Sequence, residues 1–160
     1  MAYSIKETRG KISDIKGRLE DKRAETEKLE ENRQALLDAG TDVQGSDIDE
    51  DAQQTIMDLI NQALEDNSDK AQEVSDEIGQ DLSELEGMQQ DTQQSLESNQ
   101  QERGKVEQKK SLLDRVGLGG SLDGALGEFD DNRADLEDVR QELTDTSQEA
   151  DELVRRLGVI

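Results

Sequence analysis

Carboxylates are the potentially reactive side chains that this chain has in abundance. It carries 41 Asp and Glu residues against 19 Lys and Arg, and it contains neither His nor Cys. The lack of His excludes catalysis by a histidine base and the usual zinc sites. Carboxylates recur so often that no pair stands out as a catalytic acid and base. We therefore predict no catalytic residue, no metal site and no cofactor, and that the protein is not an enzyme.

The acidic cluster around Asp42, Asp47, Asp49 and Asp51 is the best candidate for a calcium loop. An EF-hand needs oxygen ligands at fixed spacing, closed by a Glu that binds the ion through both oxygens. The cluster has neither that spacing nor a Glu at the closing position. It is predicted to be an acidic turn that caps a helix.

The glycine-rich stretch 117–121 is the one candidate for a phosphate-binding loop. Its glycines are not followed by the Lys and the Ser or Thr that such a loop requires. A turn between two helices is the predicted structure.

One basic cluster interrupts the acidic chain, formed by Lys105, Lys109, Lys110 and Arg115. Acidic neighbours such as Glu102 and Glu107 favour ion pairs within the chain over phosphate binding. The net charge of −22 also argues against contact with DNA or RNA, whose phosphates attract Lys and Arg. No nucleic-acid partner is predicted.

Location can be inferred only broadly. No apolar run approaches the roughly 18 residues of a membrane helix, and residues 1–11 lack the apolar segment of a signal peptide. We predict no membrane insertion, and either a cytoplasmic protein or one exported without a cleavable signal peptide. Asp slightly outnumbers Glu, which leaves adaptation to a high-salt organism as an alternative to an ordinary solvated acidic surface.

Seven-residue repeats of apolar side chains predict an all-α coiled coil. The predicted order is a first helix over 1–39, a turn over 40–47, a central helix over 48–116, a turn over 117–121 and a last helix over 122–158. The two outer helices have about 35 residues each, and the sum of their lengths equals the length of the central helix. The expected fold is a single domain in which they lie antiparallel along opposite halves of the central helix.

A compact bundle of three or four helices is the competing architecture. It requires the central helix to break near 67, within 79–87 or within 89–104, where Gly, Asn and Gln accumulate. The helix-packing residues are predicted from the apolar seam positions. They are Ile12, Ile15, Leu19, Leu64, Ile78, Leu85, Leu136, Leu143 and Leu157.

The last helix has the clearest stripe, because six successive d positions are apolar. They are Leu122, Phe129, Leu136, Leu143, Ala150 and Leu157. The row assigned to its a positions is less apolar. Its members are Leu126, Arg133, Arg140, Ser147 and Val154. When one apolar row on a helix faces one apolar row on another helix, a specific antiparallel docking is favoured.

The apolar tip beside the second turn is the predicted partner-binding site. An apolar, glycine-rich helix tip is more than solubility requires, although closing the hairpin would also explain it. The candidate residues are Leu118, Leu122, Leu126 and Phe129, the last being the only Phe.

The helix, glycine turn and helix around residues 100–157 loosely resemble the helical hairpins of the WXG and LXG families of type VII secretion. Leu122-Asp123-Gly124 would correspond to the Leu-x-Gly at the turn, whereas the chain has no Trp for the WXG signature. The resemblance implies a secreted partner, a chaperone or a delivery segment.

The sequence thus predicts an interaction protein that binds another helical protein or itself, and it leaves the oligomeric state open. Three hypotheses remain. They are an adaptor or delivery partner, a self-assembling viral or cytoskeletal scaffold, and a rigid helical spacer.

Overall fold

The computed structural model describes residues 2–160 and contains three long helices. They are α1 (Ile5–Gln44), α2 (Glu50–Asp114) and α3 (Asp123–Leu157), and a short 3₁₀ helix (Gly119–Leu122) leads into α3. No strand occurs among the described residues. The prediction of an all-α fold with two shorter helices packed on a long one is confirmed.

Pairs of charged residues give the direction in which the helices run. Arg18 pairs with Asp81 and Lys22 with Glu77, so α1 is antiparallel to α2. Arg103 pairs with Asp130 and Lys110 with Asp123, so α3 is also antiparallel to α2.

The first and last helices also contact each other. Arg23 pairs with Glu149 and Glu30 with Arg156, and the two pairs are seven residues apart on each helix in the same sense. The two helices are therefore parallel neighbours. This contact adds to the predicted arrangement, in which both helices lie antiparallel along α2, because pattern length does not fix where one helix starts along another.

A serine caps the start of α1. The hydroxyl of Ser4 accepts a hydrogen bond from the backbone N–H of Glu7 at 3.3 Å, and α1 begins at Ile5.

The end of α1 differs from the prediction. The helix continues through Gly40 to Gln44, whereas Gly40 was expected to terminate it. Gly40 is buried, and a Cβ atom placed on it would lie 3.7 Å from Cε of Met57. Since Gly40 packs against α2 and Val43 is half-buried on the same face, packing between the helices outweighs the stop signal.

The central helix is continuous through every predicted break point from 67 to 104. Buried apolar residues lie on both sides of these points, so packing supports the helix through them. At its end Gly117 has φ +77°, and the N–H of Leu118 donates to the carbonyl of Leu113 at 3.0 Å. This is a glycine-terminated helix end, and it lies at the start of the predicted turn over 117–121.

The described chain divides into two compact units. The first unit comprises the N-terminal segment up to Asp14 together with Ser83–Ser147. Its buried apolar side chains are Ile12, Leu85, Met88, Leu96, Leu136, Val139 and Leu143. The second unit comprises Ile15–Leu82 and Gln148–Ile160. Its buried apolar side chains are Ile15, Leu19, Leu29, Ile60, Ala71, Val74, Ile78, Ala150, Leu153 and Leu157.

The seam of α3 requires a correction. Its strong d row is buried from Leu136 onward, but Arg133 and Arg140 of the assigned a row are exposed. The second buried row lies on the other flank, at Val139, Thr146 and Leu153. Both rows adjoin the d row, and the positions of α1 and α2 decide which of them is buried.

Candidate functional site

The α2–α3 hairpin of the first unit extends past the point where α1 begins. Tyr3 and Ile5, at the start of α1, share a groove with Asp91, Ser95 and Ser98 of α2. Two seven-residue series from Asp91 and Ser95 continue this side of α2 to Leu112, and the second next reaches Val116, in the turn just after the last residue of α2. Their members are Ser98, Glu102, Lys105, Lys109, Leu112 and Val116, and we call them the open face.

Every residue of the open face is exposed. The exposed fraction of the side chain is 60% at Leu112 and 67% at Val116, and Leu118 in the following turn is 59% exposed. Large apolar side chains that lie together at a helix end usually mark a contact surface. Farther along α2 the corresponding position is occupied by α1. Beyond the first residues of α1 no helix of the described chain covers it, and this uncovered third-helix position is the open face.

The tyrosine before α1 fixes where the open face starts. Its hydroxyl lies 2.8 Å from Oγ1 of Thr92, which itself lies 2.7 Å from the carbonyl oxygen of Met88. Since the single hydroxyl proton of Thr92 is donated to that carbonyl, the hydroxyl of Tyr3 must be the donor to Thr92. This bond holds the N-terminal end of α1 on α2.

An open groove of about 840 Å³ lies where α1 begins, lined by all three helices. Asn99, Phe129, Asn132 and Leu136 contribute to its wall. Asn99 is 6% exposed, and its Oδ1 atom has no hydrogen-bond partner among the described residues. A buried acceptor without a donor costs free energy, so Asn99 weakens the packing at this level of α2.

The predicted partner-binding residues divide into two groups. Leu118 is exposed, whereas Leu122, Leu126 and Phe129 are half-buried. Leu118 is therefore available to a partner. The other three belong mainly to the closure of the hairpin, with Phe129 also reaching the groove.

The predicted helix-packing residues lie in the cores of the two units. Eight of the nine are buried, and Leu64 is half-buried. Sequence reasoning did not single out Leu112 or Tyr3. Leu112 could have been found by counting seven-residue steps from Ser98 through Lys105, whereas no sequence signal pairs Tyr3 with Thr92.

Ion pairs neutralise only part of the basic cluster beside the open face. Arg103 bridges Glu107 and Asp130, Lys110 contacts Asp123, and Lys105 contacts Glu102. Hydrogen bonds from Arg103 to Asp130 and Glu107 raise the pKa of its guanidinium, and the bond to Asp123 raises the pKa of Lys110. Both side chains therefore stay cationic.

Two further cations, Lys109 and Arg115, have no ion-pair partner among residues 2–160 and are exposed. The stretch 103–118, which covers the end of α2 and the turn after it, contains five basic and two acidic residues, for a net charge of +3. This stretch is an exception in a chain of charge −22, and it favours an acidic partner.

The described residues contain no group of three or more acidic side chains placed to hold a metal ion. None of their helices combines the length and the apolar character needed to cross a membrane. The geometry of the first unit instead offers an apolar and basic helix surface beside a groove with an unpaired amide oxygen.

No protein-family model, curated protein or solved structure matches the chain.

Proposed function

We propose that this chain is a non-enzymatic helical interaction protein whose open face binds a helix of a partner, either another protein or a second copy of itself. The observation that carries the proposal is the uncovered third-helix position from Ser98 to Val116, with Leu112 and Val116 about two-thirds exposed. An amphipathic helix laid into that position would bury both residues, as α1 is buried farther along α2. The role is that of an adaptor.

The chemistry of the open face defines the partner. The partner helix carries apolar residues at three- and four-residue spacing to meet Leu112 and Val116, and acidic residues to meet Lys109 and Arg115. Chaperoning or delivery of a secreted protein, which the resemblance to the type VII hairpins implies, is a narrower hypothesis within this role.

A cross-linking experiment tests the proposal, because a chain without Cys accepts one labelled cysteine at a chosen site. A benzophenone is attached at Lys109→Cys on the open face and, as the matched control, at Gln108→Cys on the adjacent exposed side. Irradiation in extract of the source cells should give a protein adduct from position 109 that is absent from position 108. The adduct should also be lost when Val116→Asp is added.

Two outcomes of this cross-linking experiment would contradict the proposal. Identical adducts from both positions, or an adduct that survives Val116→Asp, would mean that the open face does not select a helical partner.

A further inference from the structure

The second unit ends in another two-helix stretch. α3 ends at Leu157, one residue after Arg156 pairs with Glu30, whereas α1 continues to Gln44 and turns back into α2. The α1–α2 hairpin over residues 34–66, which we call the acidic end, therefore extends past the third helix of its unit.

The acidic end carries its own apolar stripe. Ala52, Ile56, Leu59 and Ala63 recur at the three- and four-residue spacing of one helix face. Leu59 is 66% exposed and Ile56 37%. An open groove of about 570 Å³ adjoins the stripe and is lined by Ala63 together with Ala35 and Leu36 of α1.

The charges of the two open surfaces are complementary. The acidic end contains nine carboxylates and no basic residue, whereas the stretch 103–118 has a net charge of +3. Two acidic ends would repel each other, and so, more weakly, would two stretches of charge +3. The pairing that charge favours joins one surface to the other.

We propose that the open face binds the acidic end of a second copy of this chain. Two helices from each copy then form a four-helix junction, in which Leu112 and Val116 pack against Ile56 and Leu59. Lys109 and Arg115 lie near the carboxylates of the partner copy. The inference rests on the proposed function, because it uses the same open face and names its occupant.

A dimer joined by this contact still has one unoccupied open face and one unoccupied acidic end. Further copies can add, so the contact produces open chains, or rings when the geometry closes. Assembly should therefore proceed past the dimer as concentration rises.

Sedimentation velocity over micromolar to near-millimolar concentrations tests the inference on the full chain. Species heavier than the 17.8 kDa monomer should appear and grow with concentration. Raising the salt from about 0.1 M to about 1 M should weaken the association, because exposed charges are screened. A wild-type chain that stays monomeric throughout would overturn the inference.

Two single variants test whether the surfaces are different. Val116→Asp damages the open face, and Leu59→Asp damages the acidic end. Each should weaken self-association about tenfold or more. The matched controls are Gln108→Asp and Asn61→Asp, exposed positions on α2 outside the two stripes, which should assemble like the wild type. All four should keep the helical circular dichroism of the parent.

Mixing the two damaged variants gives the decisive result. Val116→Asp retains an intact acidic end and Leu59→Asp an intact open face, so the mixture should form one junction and stop at a 1:1 dimer. No complex in the mixture, or assembly of either variant alone at the concentrations where the wild type assembles, would overturn the inference. A monomeric wild type whose open face still cross-links to a different protein would leave the proposed function standing.

Discussion

The side-chain amide of Asn99 on α2 donates a hydrogen bond of 3.1 Å to the backbone carbonyl oxygen of Phe129 on α3. Asn67 makes the same kind of bond to the carbonyl of Leu29 on α1, at 3.0 Å. Both asparagines are buried at seam positions, where a polar residue typically fixes register at some cost in stability. The bond from Asn99 thus fixes the position of α3 along α2, and the bond from Asn67 fixes the position of α1 along α2.

The bond from Asn99 predicts opposite effects of two substitutions. Asn99→Asp replaces the donor with a carboxylate that faces the Phe129 carbonyl, and it should lower the free energy of unfolding by about 1–3 kcal/mol. Asn99→Leu removes the unpaired Oδ1 atom as well as the donor, so it should be neutral or stabilising. Urea denaturation followed by circular dichroism measures both. Equal destabilisation by the two variants would show that the amide oxygen is satisfied.

The corrected seam of α3 can be tested with one kind of substitution at two sites. Val139→Ala removes two methyl groups from a fully buried position and should cost about 1–3 kcal/mol. Val154→Ala, in the row first assigned to the seam, lies at a half-buried position and should cost less than half as much. Chemical denaturation of both variants gives the ratio, and equal losses would return the seam to its first assignment.

The hairpin tip predicts separable effects at Leu118 and Phe129. Leu118→Asp changes an exposed side chain and should leave the melting temperature unchanged within a few degrees while it weakens partner binding. Phe129→Asp places a charge in the half-buried hairpin closure, and it should lower the melting temperature as well. Thermal melts of the two variants decide this, and a wild-type melt for Phe129→Asp would place its ring outside the closure.

The pair formed by Glu30 and Arg156 predicts a pH dependence. Arg156 donates to both carboxylate oxygens of Glu30, at 2.9 Å and 2.8 Å, and these bonds lower the pKa of Glu30 below its ordinary value. Because the folded state binds the Glu30 proton more weakly than the unfolded state, this contribution to stability is complete above the ordinary pKa. The contribution is lost as the pH falls through the lowered pKa of Glu30 in the folded state.

Glu30→Gln should therefore lose less stability than the wild type between about pH 6 and about pH 3. Glu31→Gln, at the neighbouring exposed position, is the control and should keep the wild-type profile. Parallel profiles for all three proteins would mean that the pair does not contribute. The effect should be small, because Glu30 is more than a third exposed.

The net charge of −22 predicts that salt stabilises the fold. Carboxylates crowd the chain, and screening their repulsion should raise the melting temperature as salt increases from about 0.02 M to about 0.2 M. A further rise up to about 2 M would support adaptation to high salt. A melting temperature that falls with salt would show that ion pairs such as that of Arg23 with Glu149 outweigh the repulsion.

The sequence by itself determined which segments are helical and where most of them end. Ser4 caps α1 and Gly117 ends α2, because these signals act within a single turn of backbone. The seven-residue rhythm of α1 also identified the buried side of that helix, as Ile12, Ile15 and Leu19 demonstrate. Periodicity is a local property, so a single sequence contains it.

The tertiary structure decided what depends on the placement of one helix along another. It buried Val139 and exposed Arg140, carried α1 through Gly40, made α1 and α3 parallel neighbours, and left Leu112 and Val116 uncovered. A seven-residue repeat is unchanged by a shift of seven residues, so the repeat alone cannot set the offset between helices. Contacts such as those of Asn67 and Asn99 set that offset, and the open face is a consequence of it.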